Sequence, residues 1–182
     1  MKPFKYLKRF ISERRKAMFF FVTGNEKNYT MSSEQAFNKY SDMVWRLALS
    51  KTASHENADD ILQDVFMKYV HKNPKFYDEE HLKAWLLRVT INCANSFLRS
   101  PWESKTQALD ENFYIEMKEE SQVYYEVLKL PEKYRTAIHL HYYEGYSVDE
   151  IAKICKSKSA TVKTWLFRGR ESLKQTLKGE DF

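Results

Sequence analysis

From Ser147 to Leu177 the apolar residues recur at three- and four-residue steps, broken once by a short polar turn. That spacing admits two consecutive helices and little else. Ser147 and Glu150 form a capping box, in which the hydroxyl accepts the third backbone N–H and the carboxylate reaches back to the first. Val148, Ile151, Ala152 and Cys155 follow on one face. After Lys156-Ser157-Lys158 a second helix begins near Ser159, with Val162, Leu166, Gly169, Leu173 and Leu177 as its inner stripe. Two short helices joined by a tight turn, the second one basic, are the pattern of a DNA-binding helix-turn-helix.

Charge points the same way. Between Ile151 and Lys178 stand Lys153, Lys156, Lys158, Lys163, Arg168, Arg170, Lys174 and Lys178, against Glu171 alone. A cationic helix gains affinity for DNA by releasing its condensed counterions. On spacing and charge alone, a solvated helical hairpin with ordinary surface lysines is the plain alternative. The chain has 182 residues, room for one larger or two small domains, and 43% of them are apolar, enough for packed cores. Its net charge of +5 suits a polyanionic partner without requiring one. With four glycines, four prolines and no run of strand alternation, the expected class is all-α. Cys93 and Cys155 fall on apolar helix faces, which implies buried thiols, no disulfide framework and a reducing, cytoplasmic setting.

Upstream of that stretch, residues 1–31 form a basic extension. It carries Lys2, Lys5, Lys8, Arg9, Arg14, Arg15 and Lys16 ahead of the short apolar run Ala17 to Val22. Six apolar residues are far too few to span a membrane. The segment gives no functional signal, and Met31 stands as an alternative start. A helix is expected from Ser32 to Thr52, capped by Ser33, with Phe37, Tyr40, Val44, Leu47 and Ala48 inward. A second runs from His55 to Lys72, with Ala58, Ile61, Leu62, Val65, Phe66, Tyr69 and Val70 buried, and Asn73-Pro74 ends it.

Asp60, Gln63, Asp64 and Met67 share another face of that helix. Two carboxylates one turn apart invite a cation, but no further ligand stands at a supporting spacing. A solvated acidic face and a docking surface for a basic partner remain. A third helix, Tyr77 to Arg99, is capped by Asp78 and buries Leu82, Leu86, Val89, Cys93 and Phe97. Trp85, Arg88, Asn92, Asn95 and Arg99 lie on a different side. That side suits unstacked bases, although Trp85 fits equally well as core. Residues 101–126 carry seven acids against Lys105 and Lys118, so an acidic linker is expected at 101–120. The next helix opens at Pro131 as its first residue, turns Tyr134, Ala137, Ile138 and His141 inward, and stops at Gly145. His139 and His141, two apart, cannot chelate one metal from a regular helix. No phosphate loop, zinc set or nucleophile motif is present, so no enzyme activity, metal or cofactor is expected.

Three segments together resemble one family. NADDILQDVFMKYV (57–70), HLKAWLLRVTINCANSFLR (81–99) and LPEKYRTAIHLHYYEGYSVDEIAKICKSKSATVKTWLFRGRESLK (130–174) are similar, in order, to the extracytoplasmic-function (ECF) sigma factors. These are small two-domain initiation subunits of bacterial RNA polymerase. The likeness spans about residues 34 to 177. It implies a first domain at 32–100 that binds core polymerase and melts the minus-ten element. It implies a second at 121–182 that reads the minus-thirty-five element.

By position, the resemblance assigns Asp60, Gln63, Asp64 and Phe66 to a coiled coil of the polymerase largest subunit. Trp85, Arg88, Asn92 and Asn95 fall to the minus-ten strand. Ser159, Ala160, Thr161, Lys163, Thr164, Phe167 and Arg168 fall to the minus-thirty-five groove, with Arg170 and Lys174 on phosphates. It further implies promoter DNA and core polymerase as partners, an anti-sigma protein as a frequent one, and no small-molecule substrate. The chain departs from the family pattern at Lys156, Ser157 and Lys158, where glycine, an apolar residue and a capping serine are usual, and at Trp165, where a basic residue is common. The alternatives are a stand-alone helix-turn-helix regulator and, more weakly, a nuclease using Asp60 and Asp64.

Overall fold

The computed structural model describes residues 29–99 and 122–178. The basic segment 1–28 and the acidic linker expected at 101–120 lie outside the described residues. Among those described there are seven α-helices and no strand, with one isolated bridge pairing Tyr29 and Phe76. The expected all-α class is what the chain adopts.

The first three helices are α1 (Ser33–Thr52), α2 (His55–Lys72) and α3 (Glu79–Phe97). Each starts on an oxygen that accepts an orphan backbone N–H. Ser54 serves α2 and Asp78 serves α3, the latter from His81 N–H at 2.7 Å. For α1 the cap is Ser32, one residue before the expected Ser33, because Gln35 completes a capping box with it. Asn73, at φ 39°, closes α2 in the left-handed conformation that asparagine tolerates. Helix α1 packs on α2 and α3. Val44, Leu47, Ala58, Val65, Leu82 and Leu86 fill the space between them. Two residues expected inside are not: Phe37 is 45% exposed and Val70 56%. Apolar spacing marks a face, and among the described residues no other element covers the edge of it.

The remaining helices are α4 (Gln122–Lys129), α5 (Glu132–Ile138), α6 (Val148–Ile154) and α7 (Ser159–Lys178). Glu126, counted by sequence with the acidic stretch, lies in α4, buried and paired with Lys129 at 2.6 Å. Pro131 takes the cap position of α5, one residue earlier than expected. Helix α5 continues as a π-helical turn, His139–Tyr143. Thr136 to Leu140 are all buried, His139 fully, whereas His141, expected inside, is only half-buried. Burial pushes the His139 pKa down to about 3, so the ring is neutral at physiological pH. Gly145, at φ 77°, ends the segment where a side chain would be strained.

Helices α5 and α6 both pack on α7. Closest contact falls at Gly169, where a Cβ would stand 3.0 Å from Ile138 Cγ1 and 3.4 Å from Tyr134 Cβ. Between α6 and α7 the chain makes a Schellman turn: Ser157 N–H donates to Ala152 C=O at 2.8 Å, and Lys156 N–H to Lys153 C=O at 3.4 Å. Lys156 sits at φ 51°, in the left-handed conformation that glycine adopts most readily. The turn geometry is kept and a lysine bears its strain.

The two groups of helices touch. Helix α1 packs on α5 and on the π turn, and α3 packs on α6.

Two stability outcomes follow from these positions. Gly169→Val should lower stability by about 1–3 kcal/mol through overpacking against Ile138, read as a lower urea midpoint. Lys156→Gly should relieve about 1–2 kcal/mol of left-handed strain against about 0.4–1 kcal/mol of added chain entropy. Its melting temperature should stay level or rise, and a clear fall would contradict the strain assignment.

Candidate nucleic-acid interface

Helix α7 divides into two faces. Val162, Leu166 and Gly169 are buried against α5 and α6, at steps of four and three. Opposite them, Ala160, Lys163, Thr164, Phe167 and Arg168 are all exposed, at i, i+3, i+4, i+7 and i+8. That is one continuous stripe along three turns. Phe167 is 58% exposed, an apolar ring held out in water on a basic helix. Arg170 and Lys174 are exposed further along.

Neighbours pre-set several of these side chains. Arg168 donates to the Tyr134 hydroxyl and Arg170 to the Tyr142 hydroxyl, each at 3.3 Å. The Ser159 hydroxyl donates to Asp149 on α6 at 2.5 Å, tying the start of α7 to the helix before it. Ser159 and Thr161 are half-buried, so the stripe presents Ala160, Lys163, Thr164 and Phe167 ahead of them. The capping box at Ser147 and Glu150 is formed, with Ser147 N–H donating to the Glu150 carboxylate at 2.6 Å. Trp165 is half-buried against the core.

On α3, Arg88 and Asn92 are exposed and one turn apart, and Asn95 is half-buried. Trp85 is half-buried within an aromatic group, edge-on to Tyr69 at 6.0 Å and to Phe76 at 5.9 Å. Trp85 packs on the core and stays partly exposed.

On α2, Asp60, Gln63 and Asp64 are exposed together, and Asp64 lies 3.7 Å from Lys68. Phe66 does not share that face. It is 7% exposed, its ring edge-on to Phe37 at 5.0 Å. It forms the floor of an open groove with Phe37, Leu62 and Met67, and Gln63 on the rim belongs to both surfaces. Sequence reasoning missed this groove: it counted Phe37 and Val70 as buried and Met67 with the acidic face, and spacing gives no signal that all three are exposed. No group of three or more metal-ligating side chains occurs among the described residues, and none of their helices is long and apolar enough to cross a membrane.

Comparison with known proteins matches both halves. Residues 36–103 match the family model for sigma-70 region 2, and residues 121–173 that for sigma-70, region 4. The chain is 30% identical over 157 residues to the ECF RNA polymerase sigma factor SigM of Bacillus subtilis, covering 79% of this chain and 94% of that protein. It is 34% identical over 159 residues to RNA polymerase sigma factor SigZ of the same species, covering 82% and 89%. Two solved structures share the fold. One is the sigma factor RpoE in complex with the anti-sigma factor NepR from Bartonella quintana, with TM-score 0.61 and 23% identity over 81% of this chain and 98% of that one. The other is CnrH in complex with the cytosolic domain of CnrY, with TM-score 0.61 and 21% identity over 82% and 89%. With both modules matched in order, the chain belongs to the ECF sigma factors, non-enzymatic subunits that bind core RNA polymerase and direct promoter-specific transcription initiation.

Proposed function

We propose that three exposed surfaces divide the work of initiation, on domains bounded near 32–100 and 121–182. The observation that carries the reading is the unbroken exposed stripe of α7, Ala160, Lys163, Thr164, Phe167 and Arg168. Its length and chemistry suit the major groove of the minus-thirty-five element. Lys163 and Arg168 reach guanine edges or phosphates, and Ala160 and Phe167 meet thymine methyls. Ser159, Thr161, Arg170 and Lys174 hold the helix on the backbone. Arg88, Asn92 and Asn95 contact the opened minus-ten strand, and the free edge of Trp85 supports an unstacked base. Because α3 binds that strand only when unpaired, binding draws the duplex toward its melted form.

Asp60, Gln63 and Asp64 form the acidic docking face for the largest-subunit coiled coil, and Phe66 shapes the apolar groove beside it. The protein works in the cytoplasm, where polymerase and promoter are. The solved sigma factor RpoE, held with the anti-sigma factor NepR, supports the same class of partner here. A stand-alone regulator would leave the acidic face of α2 without a task.

Gel shifts with and without core polymerase test this. Lys163→Ala and Arg168→Ala should each weaken promoter binding by about 1–3 kcal/mol and leave core binding unchanged. Asp60→Ala and Asp64→Ala should do the reverse; unchanged polymerase binding in both would refute the docking face. Arg88→Ala should impair open-complex formation without lowering the melting temperature. Trp85→Ala should lower both, because its ring also packs on Tyr69 and Phe76.

A further inference from the structure

Helices α1 and α2 leave an open apolar groove between them, lined by Phe37, Leu62, Phe66, Met67 and Val70, with the exposed carboxylates of Glu34 and Asp59 also lining it. Three of the eight large apolar side chains left exposed among the described residues stand here: Phe37 at 45%, Met67 at 50% and Val70 at 56%. Apolar residues exposed singly are ordinary, whereas three in one groove mark a surface that meets something. Asp60 and Asp64 continue the acid along α2, and neither Glu34 nor Asp60 has a cation partner among the described residues.

The chain itself holds a fitting occupant. Alone, residues 1–28 give no functional signal; beside this groove they do. They contain eight of the 30 lysines and arginines and two of the 25 acids, so the rest of the chain, with 22 against 23, is net −1. All of the net positive charge therefore sits in that segment. Within it Arg14, Arg15 and Lys16 run directly into Ala17, Met18, Phe19, Phe20, Phe21 and Val22. A cationic triplet followed by an apolar run complements an apolar groove beside acids.

Reach agrees. The chain enters the described fold where Tyr29 pairs with Phe76 and Met31 C=O accepts from the Tyr69 hydroxyl at 2.7 Å. Tyr69 adjoins Val70, so the entry lies at the Val70 end of the groove. Asp59 and Val70 are eleven residues apart on α2, about 16 Å at about 1.5 Å per residue. Residues 17–22 reach about 20 Å at most, and residues 23–28 the same. So short a tether gives an effective concentration of about millimolar, which fills even a weak site.

We infer that the apolar run Ala17 to Val22 docks in the groove between α1 and α2, running from Asp59 toward Val70, and that core polymerase must displace it to reach α2. Arg14, Arg15 and Lys16 then lie beside Asp59, Asp60 and Asp64, and residues 23–28 return the chain to Tyr29. This rests on the polymerase-docking reading above, because Gln63 lines the groove and also stands on the acidic face. Polymerase meets only the molecules whose groove is empty, and its apparent affinity is reduced by that fraction.

The test uses the full-length chain and its variant Phe19→Ser/Phe20→Ser/Phe21→Ser, whose changes lie outside the described residues. Dilute hydrogen peroxide transfers one oxygen to an accessible Met67 sulfur, giving the sulfoxide and water, and peptide mass spectrometry reads the rate. Met43, 8% exposed in the core, should stay slow in both proteins and reports an intact fold. Met67 should oxidise about three- to ten-fold faster in the variant, and the dissociation constant for core polymerase should fall by the same factor, because one empty fraction sets both. Arg14→Ala/Arg15→Ala/Lys16→Ala should move both readouts in the same direction. Equal Met67 rates in wild type and the serine variant would overturn the inference, and equal rates that slow with rising protein concentration would assign the groove to a second copy. A basic-triplet variant that loses promoter affinity while Met67 keeps its rate would make the segment a DNA-binding arm. Faster Met67 oxidation with unchanged polymerase affinity would overturn the competition. Were wild type and variants all to bind no polymerase, the docking-face reading would fail, and the Met67 rates would still decide where the segment lies.

Discussion

The Arg135 guanidinium is the constraint on which the arrangement of the molecule turns. Helix ends are the weak points of an all-α protein, since each leaves carbonyls that must find donors. Here α1 and α4 end against each other, and one planar cation with five N–H groups serves both. Lysine could not do this, because its donors radiate from a single point. Once α5 is seated on the end of α1, the rest follows. Helix α7 packs on α5 and α6, and its polar stripe faces away from the junction.

Function is distributed along separate helices for the same reason. Helices α2, α3 and α7 each spend one face on packing and leave the other exposed. Helix α7 packs its inner stripe on Ile138 and its neighbours through Gly169 and leaves exposed the outer stripe proposed to meet DNA. Helix α2 buries Ile61 and Val65 and turns Asp60, Gln63 and Asp64 outward. The signs differ in keeping with the partners proposed, a phosphate backbone for one and a protein for the other. Trp85 packs on Tyr69 and Phe76 as well as lying on the side proposed for the opened strand, so its loss cannot separate stability from the proposed base contact.

Much of this was legible in the residues. Caps are local chemistry, and Ser147 with Glu150, Asp78 and Asn73 behave as their types require. The inner stripes of α3 and α7 follow from spacing alone. Three kinds of feature were not legible. Phe37 and Val70 look like core because periodicity identifies an apolar face and not what covers it. His139 is buried because Thr136 to Leu140 are enclosed on every face, which a single-stripe spacing does not announce. Arg135 reads as a surface arginine of a short helix, yet its acceptors at Ser50 and Lys51 lie 85 and 84 residues away. Lys156 is a smaller case: the departure from glycine was visible, but that the turn would keep its left-handed geometry was not.

The account stands most directly on transcription from natural templates. Core RNA polymerase and genomic DNA from the host are incubated with and without this chain, and the 5′ ends of the transcripts are sequenced. The account predicts new start sites that appear only with the chain, each preceded by the same two short elements at a fixed separation. Identical start sites in both reactions would contradict it.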